Sequence, residues 1–168
     1  IFDRGFLMAD GVYEVTSVLD GKLIDFSGHL VRLQRSLDEL GITNPLSADE
    51  WLAAHRELVS VNNITEGMVY LQVTRGVAPR DHYFPAPGTR PALVVTAKRS
   101  DPRVASKRGE EGVKVITVPE NRWERVDIKT VGLLPNVLAR QKAREAGAVE
   151  AWFVDADGTV KEGASTNA

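Results

Sequence analysis

The segment Arg80-Asp81-His82 combines side chains that can bind a carboxylate. It lies between Pro79 and Pro85, which favour extended backbone. Because alternate side chains of an extended segment point the same way, we expect Arg80 and His82 to converge on one spot. A planar guanidinium beside an imidazole suits a carboxylate ligand. Taken by itself, however, the segment is better interpreted as an ordinary solvated loop.

Lys129 and Glu162 are further candidates for chemistry. Lys129 stands in the largely apolar segment 126–132, between a strand-like stretch and a helix. A lysine among apolar neighbours can act as a nucleophile and form an imine with a carbonyl compound. Glu162 lies at the edge of a predicted hairpin, where a carboxylate needs no special explanation. Neither residue alone establishes a reaction.

The composition excludes several kinds of site. The chain has no cysteine, which removes disulfides, thiolate metal sites and cysteine nucleophiles. The histidines are His29, His55 and His82, and no pair has helical metal-ligand spacing, so we predict no metal site. His55 lies near an apolar helix face, which favours a packing role.

The charge balance and the cysteine count also bear on partners and location. The chain has 21 basic and 23 acidic side chains, a formal net charge of −2. This balance indicates neither a nucleic-acid partner nor a membrane partner. The lack of cysteine fits a reducing compartment, so we predict a cytoplasmic protein.

Two domains are predicted to position these candidates. Residues 1–100 form a small α+β domain, residues 101–112 a polar linker, and residues 113–168 the start of a larger domain. The predicted elements of the small domain are a hairpin around Asp20-Gly21, a helix from Ser27 to Gly41, a helix opened by the capping box Ser47–Glu50, and strands at 69–74 and 92–97. Those of the larger domain are a strand at 113–118, a helix at 135–146 and a hairpin at 151–161.

The two ends of the sequence indicate a piece of a longer protein. The chain begins at Ile1 without a methionine and stops at Ala168 with no closing helix or charged tail. We therefore expect the first strands of the small domain to be missing and the larger domain to be truncated on its C-terminal side.

Four motifs in a fixed order favour a functional interpretation of these residues. Residues 3–15, 29–33, 127–141 and 162–167 together resemble the signature of the class IV aminotransferases, the fold-type IV enzymes that use pyridoxal 5'-phosphate. Each motif alone is weak, but their order and spacing match the family across essentially the whole chain. The resemblance implies an α+β, two-domain fold-type IV enzyme, with a small N-terminal domain and an incomplete larger domain.

The resemblance also implies a role for individual residues. Lys129 would hold pyridoxal phosphate as a Schiff base and then act as the base at the substrate Cα. Glu162 would face the pyridine nitrogen, Arg122 the phenolic oxygen and Arg32 the phosphate. Ser165 and Thr166 match further cofactor-contacting positions.

Within the family, residues 73–85 resemble the substrate loop of the D-amino-acid aminotransferases. By that match, Tyr13, Arg80 and His82 would bind the substrate α-carboxylate. Arg80 and His82 would reach the site of the neighbouring subunit, which implies a homodimer with shared sites. The implied reaction transfers an amino group between a D-amino acid, such as D-alanine, and a 2-oxo acid, such as 2-oxoglutarate.

Several alternatives stay open at this stage. A branched-chain L-amino-acid aminotransferase and a 4-amino-4-deoxychorismate lyase have the same fold, as does an R-selective amine transaminase. Arg80 and His82 argue against the branched-chain aminotransferase, and Arg80 argues against the amine transaminase. A non-catalytic truncated remnant is the remaining interpretation, because the family's main phosphate-binding segment follows residues 162–167. We therefore expect the isolated polypeptide to bind the cofactor poorly.

Overall fold

A four-stranded antiparallel sheet in the order β2-β1-β3-β4 organises the first part of the chain. The computed structural model describes residues 1–168. The strands are β1 (Gly11–Leu19), β2 (Lys22–Leu23), β3 (Gly67–Thr74) and β4 (Ala92–Arg99). Asp20 and Gly21 both adopt a positive φ, as the tight turn between β1 and β2 requires. The predicted hairpin is therefore confirmed.

The helices of this part are α1 (Arg4–Met8), α2 (Phe26–Leu40) and α3 (Ala48–Val61). The predicted capping box is confirmed, since Ser47 Oγ accepts from the Glu50 main chain and Glu50 accepts from the Ser47 main chain. Gly41 ends α2 in the left-handed conformation, as predicted. The predicted cap at Ser27 is wrong: Asp25 precedes the helix and makes no side-chain cap bond. Helix α1 was not foreseen from the sequence.

Two apolar clusters pack between the sheet and the helices of this part. The smaller one consists of Val18, Val59, Ile64 and Val69. The larger one has members from α2, α3, β1 and β3, one residue just after α2 and one from much later in the chain: they are Val12, Leu33, Leu37, Ile42, Trp51, Leu71, Val73 and Ile128. His55 is fully buried against the rings of Phe26 and Trp51, which confirms its packing role.

Ile128 belongs to a short segment that returns to the first sheet. The Tyr13 amide donates to the Lys129 carbonyl at 3.0 Å, and the Val131 amide donates to the Gly11 carbonyl at 3.1 Å. Residues 1–101 and 127–132 thus form one compact unit, and residues 102–126 and 133–168 form a second. The predicted domains place residues 127–132 with the later residues instead. The observed units differ because the pairing of this segment with β1 is a long-range contact.

The second unit contains a three-stranded sheet in the order β5-β6-β7. Its elements are α4 (Pro102–Glu111), β5 (Val115–Pro119), α5 (Leu134–Glu145), β6 (Glu150–Val154) and β7 (Val160–Gly163). β5 is parallel to β6, and β7 is antiparallel to it. Small side chains on α5 pack on this sheet: the core consists of Val118, Ala139, Ala143, Ala151, Phe153 and Ala164.

Residues 102–111 form a helix where the sequence predicts a linker. Pro102 suits the first helical position, and polar side chains four residues apart stabilise the exposed helix: Ser106 donates to Glu110 at 3.0 Å, and Lys107 lies 3.9 Å from Glu111. No helix in the chain combines the length and the apolar character needed to cross a membrane. No group of three or more His, Cys, Asp or Glu side chains is arranged to hold a metal ion.

Candidate functional site

Lys129 lies beside β1 in the first unit. Its Nζ is 4.5 Å from the centroid of the Tyr13 ring, and its main-chain amide donates to Ser36 Oγ at 3.3 Å. The Tyr13 ring in turn stacks on Tyr70 of β3, with 5.6 Å between centroids. The Lys129 side chain is partly buried, and its amine has no carboxylate partner. Such an amine is available for a covalent partner.

Glu14, the residue after Tyr13, points to the opposite, buried face of the sheet and holds Arg32. Arg32 Nε donates to Glu14 Oε1 at 2.5 Å, and Arg32 Nη2 donates to Oε2 at 2.8 Å. His29 Nδ1 lies 2.8 Å from the same Oε2; since a carboxylate only accepts, this nitrogen carries the proton. These bonds fix the guanidinium of Arg32, which is half exposed on α2.

Sequence reasoning assigned no role to Glu14 or His29. The available signal was the spacing of His29 and Arg32, three residues apart on one helix, which places both on the same face. The partner carboxylate could not be identified in this way, because it comes from a different element.

Arg80 and His82 lie in the irregular segment between β3 and β4, and both are exposed. The backbone bends at Arg80, His82 and Tyr83, so the expected extended conformation, with alternate side chains aligned, is not observed. Neither side chain makes a hydrogen bond or an ion pair within the chain, to Tyr13 or to any other residue. Two donors for a carboxylate are thus displayed on the surface.

Arg122 and Glu162 meet in the second unit. Arg122 Nη1 donates to Glu162 Oε2, and its Nε and Nη2 bind Glu120, with 2.5 Å between Nη2 and Oε2. The hydrogen bonds from Arg122 hold the pKa of Glu120 below its ordinary value, more than offsetting burial. The Arg122 guanidinium also lies over the Phe153 ring, 4.7 Å from its centroid. Glu162 keeps a side chain that is 47% exposed.

Ser165 and Thr166 belong to a tight turn after β7 that a buried carboxylate holds in place. Glu150 Oε2 accepts from the Ser165 hydroxyl at 2.6 Å and from its main-chain amide at 3.2 Å. Glu150 Oε1 accepts from the Ala151 amide at 2.8 Å. A Cβ on Gly163 would lie 2.5 Å from the Thr166 carbonyl oxygen, so only glycine fits there. Glu150 was missed by sequence reasoning; the signal was a single acid opening an otherwise apolar strand.

The residues that the resemblance selected therefore fall into two groups, one in each unit: Tyr13, Arg32, Arg80, His82 and Lys129 in the first, and Arg122, Glu162, Ser165 and Thr166 in the second. The donor set of each group fits part of pyridoxal phosphate. An amine without an anionic partner suits its aldehyde, and a half-exposed guanidinium suits its phosphate. A half-exposed carboxylate backed by an arginine suits its protonated ring nitrogen.

Comparison with known proteins defines the class of protein. The family model for amino-transferase class IV matches residues 11–168. The chain belongs to the class IV aminotransferase family.

Particular relatives narrow the similarity. The chain is 43% identical over 166 residues to a D-alanine aminotransferase of Staphylococcus aureus, covering 99% of this chain and 58% of the relative. It is 44% identical over 167 residues to a D-alanine aminotransferase of Bacillus licheniformis, covering 99% of this chain and again 58% of the relative. The chain thus spans a little over half the length of these curated relatives.

Solved structures agree on the fold. A fold IV-transaminase from Curtobacterium pusillum superposes with a TM-score of 0.78 at 25% identity, covering 98% of this chain and 57% of that one. The branched-chain amino acid aminotransferase of Escherichia coli superposes with a TM-score of 0.82 at 21% identity, covering 98% of this chain and 57% of that one. The predicted α+β class is confirmed, and the structure has two sheets with packed helices.

Proposed function

We propose that this chain is part of a pyridoxal-phosphate-dependent aminotransferase that moves the amino group of a D-amino acid, such as D-alanine, to a 2-oxo acid, such as 2-oxoglutarate. Support comes from family membership and from the 40–44% identity to D-alanine aminotransferases along nearly the whole chain. Further support comes from the donor sets of the two groups of residues. A cytoplasmic location is part of the proposal and stays a prediction from the absence of cysteine.

The proposed cofactor partners follow from charge. Lys129 would hold the aldehyde carbon covalently, Arg32 would pair with the phosphate, and Glu162 would accept a hydrogen bond from the ring nitrogen. Arg122 is assigned to the phenolic oxygen, and Ser165 and Thr166 are assigned to further polar contacts. When bound, pyridoxal phosphate supplies an electron sink for the carbanion at the substrate Cα.

The remaining work falls to protein side chains. The Lys129 amine would take and return the proton at the substrate Cα, as a general base and acid. Tyr13, Arg80 and His82 would bind the α-carboxylate, with the guanidinium providing charge-assisted hydrogen bonds. The side on which the carboxylate is held decides which face of Cα meets Lys129, and hence selects the D-enantiomer. Arg80 and His82 are exposed and unpaired within the chain, so we assign them to a neighbouring subunit's site in a homodimer.

One observation carries this proposal: the Lys129 amine rests on the Tyr13 ring at 4.5 Å with no carboxylate beside it. The test is borohydride reduction of the full-length protein incubated with pyridoxal phosphate, followed by peptide mapping. We expect the label on Lys129 and a visible absorption band before reduction. Label on another residue, or none, would overturn the assignment.

Two assays separate the proposed reaction from its alternatives. Activity with D-alanine and not with L-alanine distinguishes it from a branched-chain L-amino-acid aminotransferase. Leaving out the 2-oxo acid distinguishes it from a 4-amino-4-deoxychorismate lyase, which needs no amino acceptor to release pyruvate. A protein that binds pyridoxal phosphate at Lys129 but turns over none of these substrates would support the non-catalytic alternative.

A further inference from the structure

Two arginines and one aspartate form a buried cluster in the first unit that the proposed mechanism does not use. Arg4 Nε and Arg75 Nε both lie 2.7 Å from the same oxygen, Oδ2 of Asp10. The Arg4 side chain is 3% exposed and that of Arg75 is 8% exposed. Taking charges out of water is costly, so a buried cluster of this kind is weak ground for stability alone. The cluster is better explained by the segments of the chain that it fixes.

The cluster is attached to regular backbone. Arg75 Nη2 donates to the Leu40 carbonyl at 2.7 Å, and its Nη1 donates to the Gly41 carbonyl at 3.2 Å, at the C-terminal end of α2. The Arg75 amide donates to the Asp10 carbonyl at 3.1 Å. Burial raises the pKa of Asp10, but hydrogen bonds from Arg75 and Arg4 outweigh it, and the pKa lies below its ordinary value. The carboxylate therefore stays charged and the cluster stays fixed.

From this base the two arginines reach the segment that joins β3 to β4. Arg4 Nη1 donates to the Asp81 carbonyl at 2.8 Å. The Arg75 guanidinium lies over the Phe84 ring, 3.8 Å from its centroid. The Asp81 carbonyl stands between Arg80 and His82 in the chain, so the Arg4 bond fixes the backbone between these two exposed side chains.

We propose that Arg4 and Arg75, joined through Asp10, are positioning residues for Arg80 and His82. This inference rests on the proposed function, in which that pair binds the substrate α-carboxylate. An irregular exposed segment would lose conformational freedom whenever it ordered around a substrate, which weakens binding. Fixing Asp81 and Phe84 beforehand removes most of that cost and leaves only the side chains to adjust.

The test replaces Arg4 by methionine in the full-length protein. Asp10 keeps Arg75 as a partner, so no carboxylate is left buried without a cation. We expect the KM for D-alanine to rise about tenfold while kcat changes by less than about twofold. We also expect trypsin to cleave after Arg80 about tenfold faster, because cleavage needs local opening of the segment. Arg99→Met is the matched control, since it also removes an arginine that donates to a main-chain carbonyl, that of Asn62.

A triple variant shows whether Arg4 acts through Arg80 and His82. In a background that carries both Arg80→Ala and His82→Ala, Arg4→Met should raise KM no further. A further rise, or Arg4→Met with wild-type KM and wild-type cleavage, overturns the positioning role. An unchanged KM in Arg80→Ala alone shows instead that the proposed carboxylate site is wrong. If Arg4→Met does not fold, Phe84→Leu, a change on an exposed ring, gives the same readouts, and unchanged KM and cleavage again overturn the inference.

Discussion

Replacing Glu150 by glutamine tests how the turn that carries Ser165 and Thr166 is built. The Glu150 side chain is 4% exposed and receives main-chain N–H donors on both of its oxygens. Glutamine has the same shape but presents an amide NH₂ in place of one oxygen. Whichever way the amide is turned, that NH₂ faces either the buried Ala151 amide or the part-buried Ser165 amide, and one N–H donor loses its acceptor.

The loss in the free energy of unfolding can be worked out from the one N–H donor that loses its acceptor. A buried donor left without an acceptor costs about 1–3 kcal/mol, and loss of the charge weakens the remaining bonds. The Ser165 hydroxyl can rotate and accept from the new amide, which offsets part of the cost. We therefore expect Glu150→Gln to lower the free energy of unfolding by about 2 kcal/mol.

The assay is urea denaturation of the full-length protein followed by tryptophan fluorescence, with Trp152 of β6 as a nearby reporter. Glu145→Gln is the matched control, because that glutamate also accepts one side-chain hydrogen bond, from Gln141 at 2.7 Å, but is exposed. Its cost should stay within about 0.5 kcal/mol. Equal losses in the two variants would refute the claim that these N–H donors depend on the buried carboxylate of Glu150.

The same comparison has a pH dependence of known sign. Burial raises the pKa of Glu150, but hydrogen bonds from Ser165 and the Ala151 amide and the charge of Arg140 outweigh it, so the pKa is lowered. A carboxylate with a lowered folded-state pKa contributes stability above its ordinary pKa and loses it as pH falls through the folded value. The difference between wild type and Glu150→Gln should therefore shrink in acid. A difference that stays constant with pH would contradict this assignment.

Three further substitutions test the proposed site and the fold. Lys129→Ala should abolish both the visible absorption band and transamination; a near-normal rate would refute the cofactor assignment. Glu162→Gln should lower kcat about tenfold to hundredfold, measured by steady-state assay, with the free energy of unfolding almost unchanged because the side chain is half exposed. Gly76→Ala places a Cβ 2.0 Å from the Arg90 carbonyl oxygen at a φ of +101°, whereas Gly88 has a φ of +91° and open space. In urea denaturation Gly76→Ala should cost about 2 kcal/mol more than Gly88→Ala; equal costs would contradict the clash.

Local signals in the sequence were sufficient for most of the regular elements. Asp20-Gly21 suits the turn between two antiparallel strands, and Ser47 with Glu50 opens α3. These predictions succeeded because each depends on neighbours within four residues. Ser27 failed as a cap because the helix begins one residue before it, at Phe26. Segment 101–112 is predicted as a linker because it is polar and charged and contains Pro102. The structure has a helix there, at Pro102–Glu111, and an exposed helix of this kind leaves little apolar periodicity to read.

The sequence by itself determined the α+β class, the family, and which residue types are available for chemistry, since composition and motif order need no folding to be read. Only the tertiary structure decided that the segment bearing Lys129 returns to pair with β1, and which residues surround each candidate. Glu14 is bound by His29 and Arg32 of a different element. Arg4 donates to the distant Asp81 carbonyl as well as to the nearby Asp10, and Glu150 accepts from Ser165 of a later turn as well as from the adjacent Ala151. A buried charge is stable only where the folded chain supplies its hydrogen bonds, and the donors or acceptors that come from distant elements are set by packing.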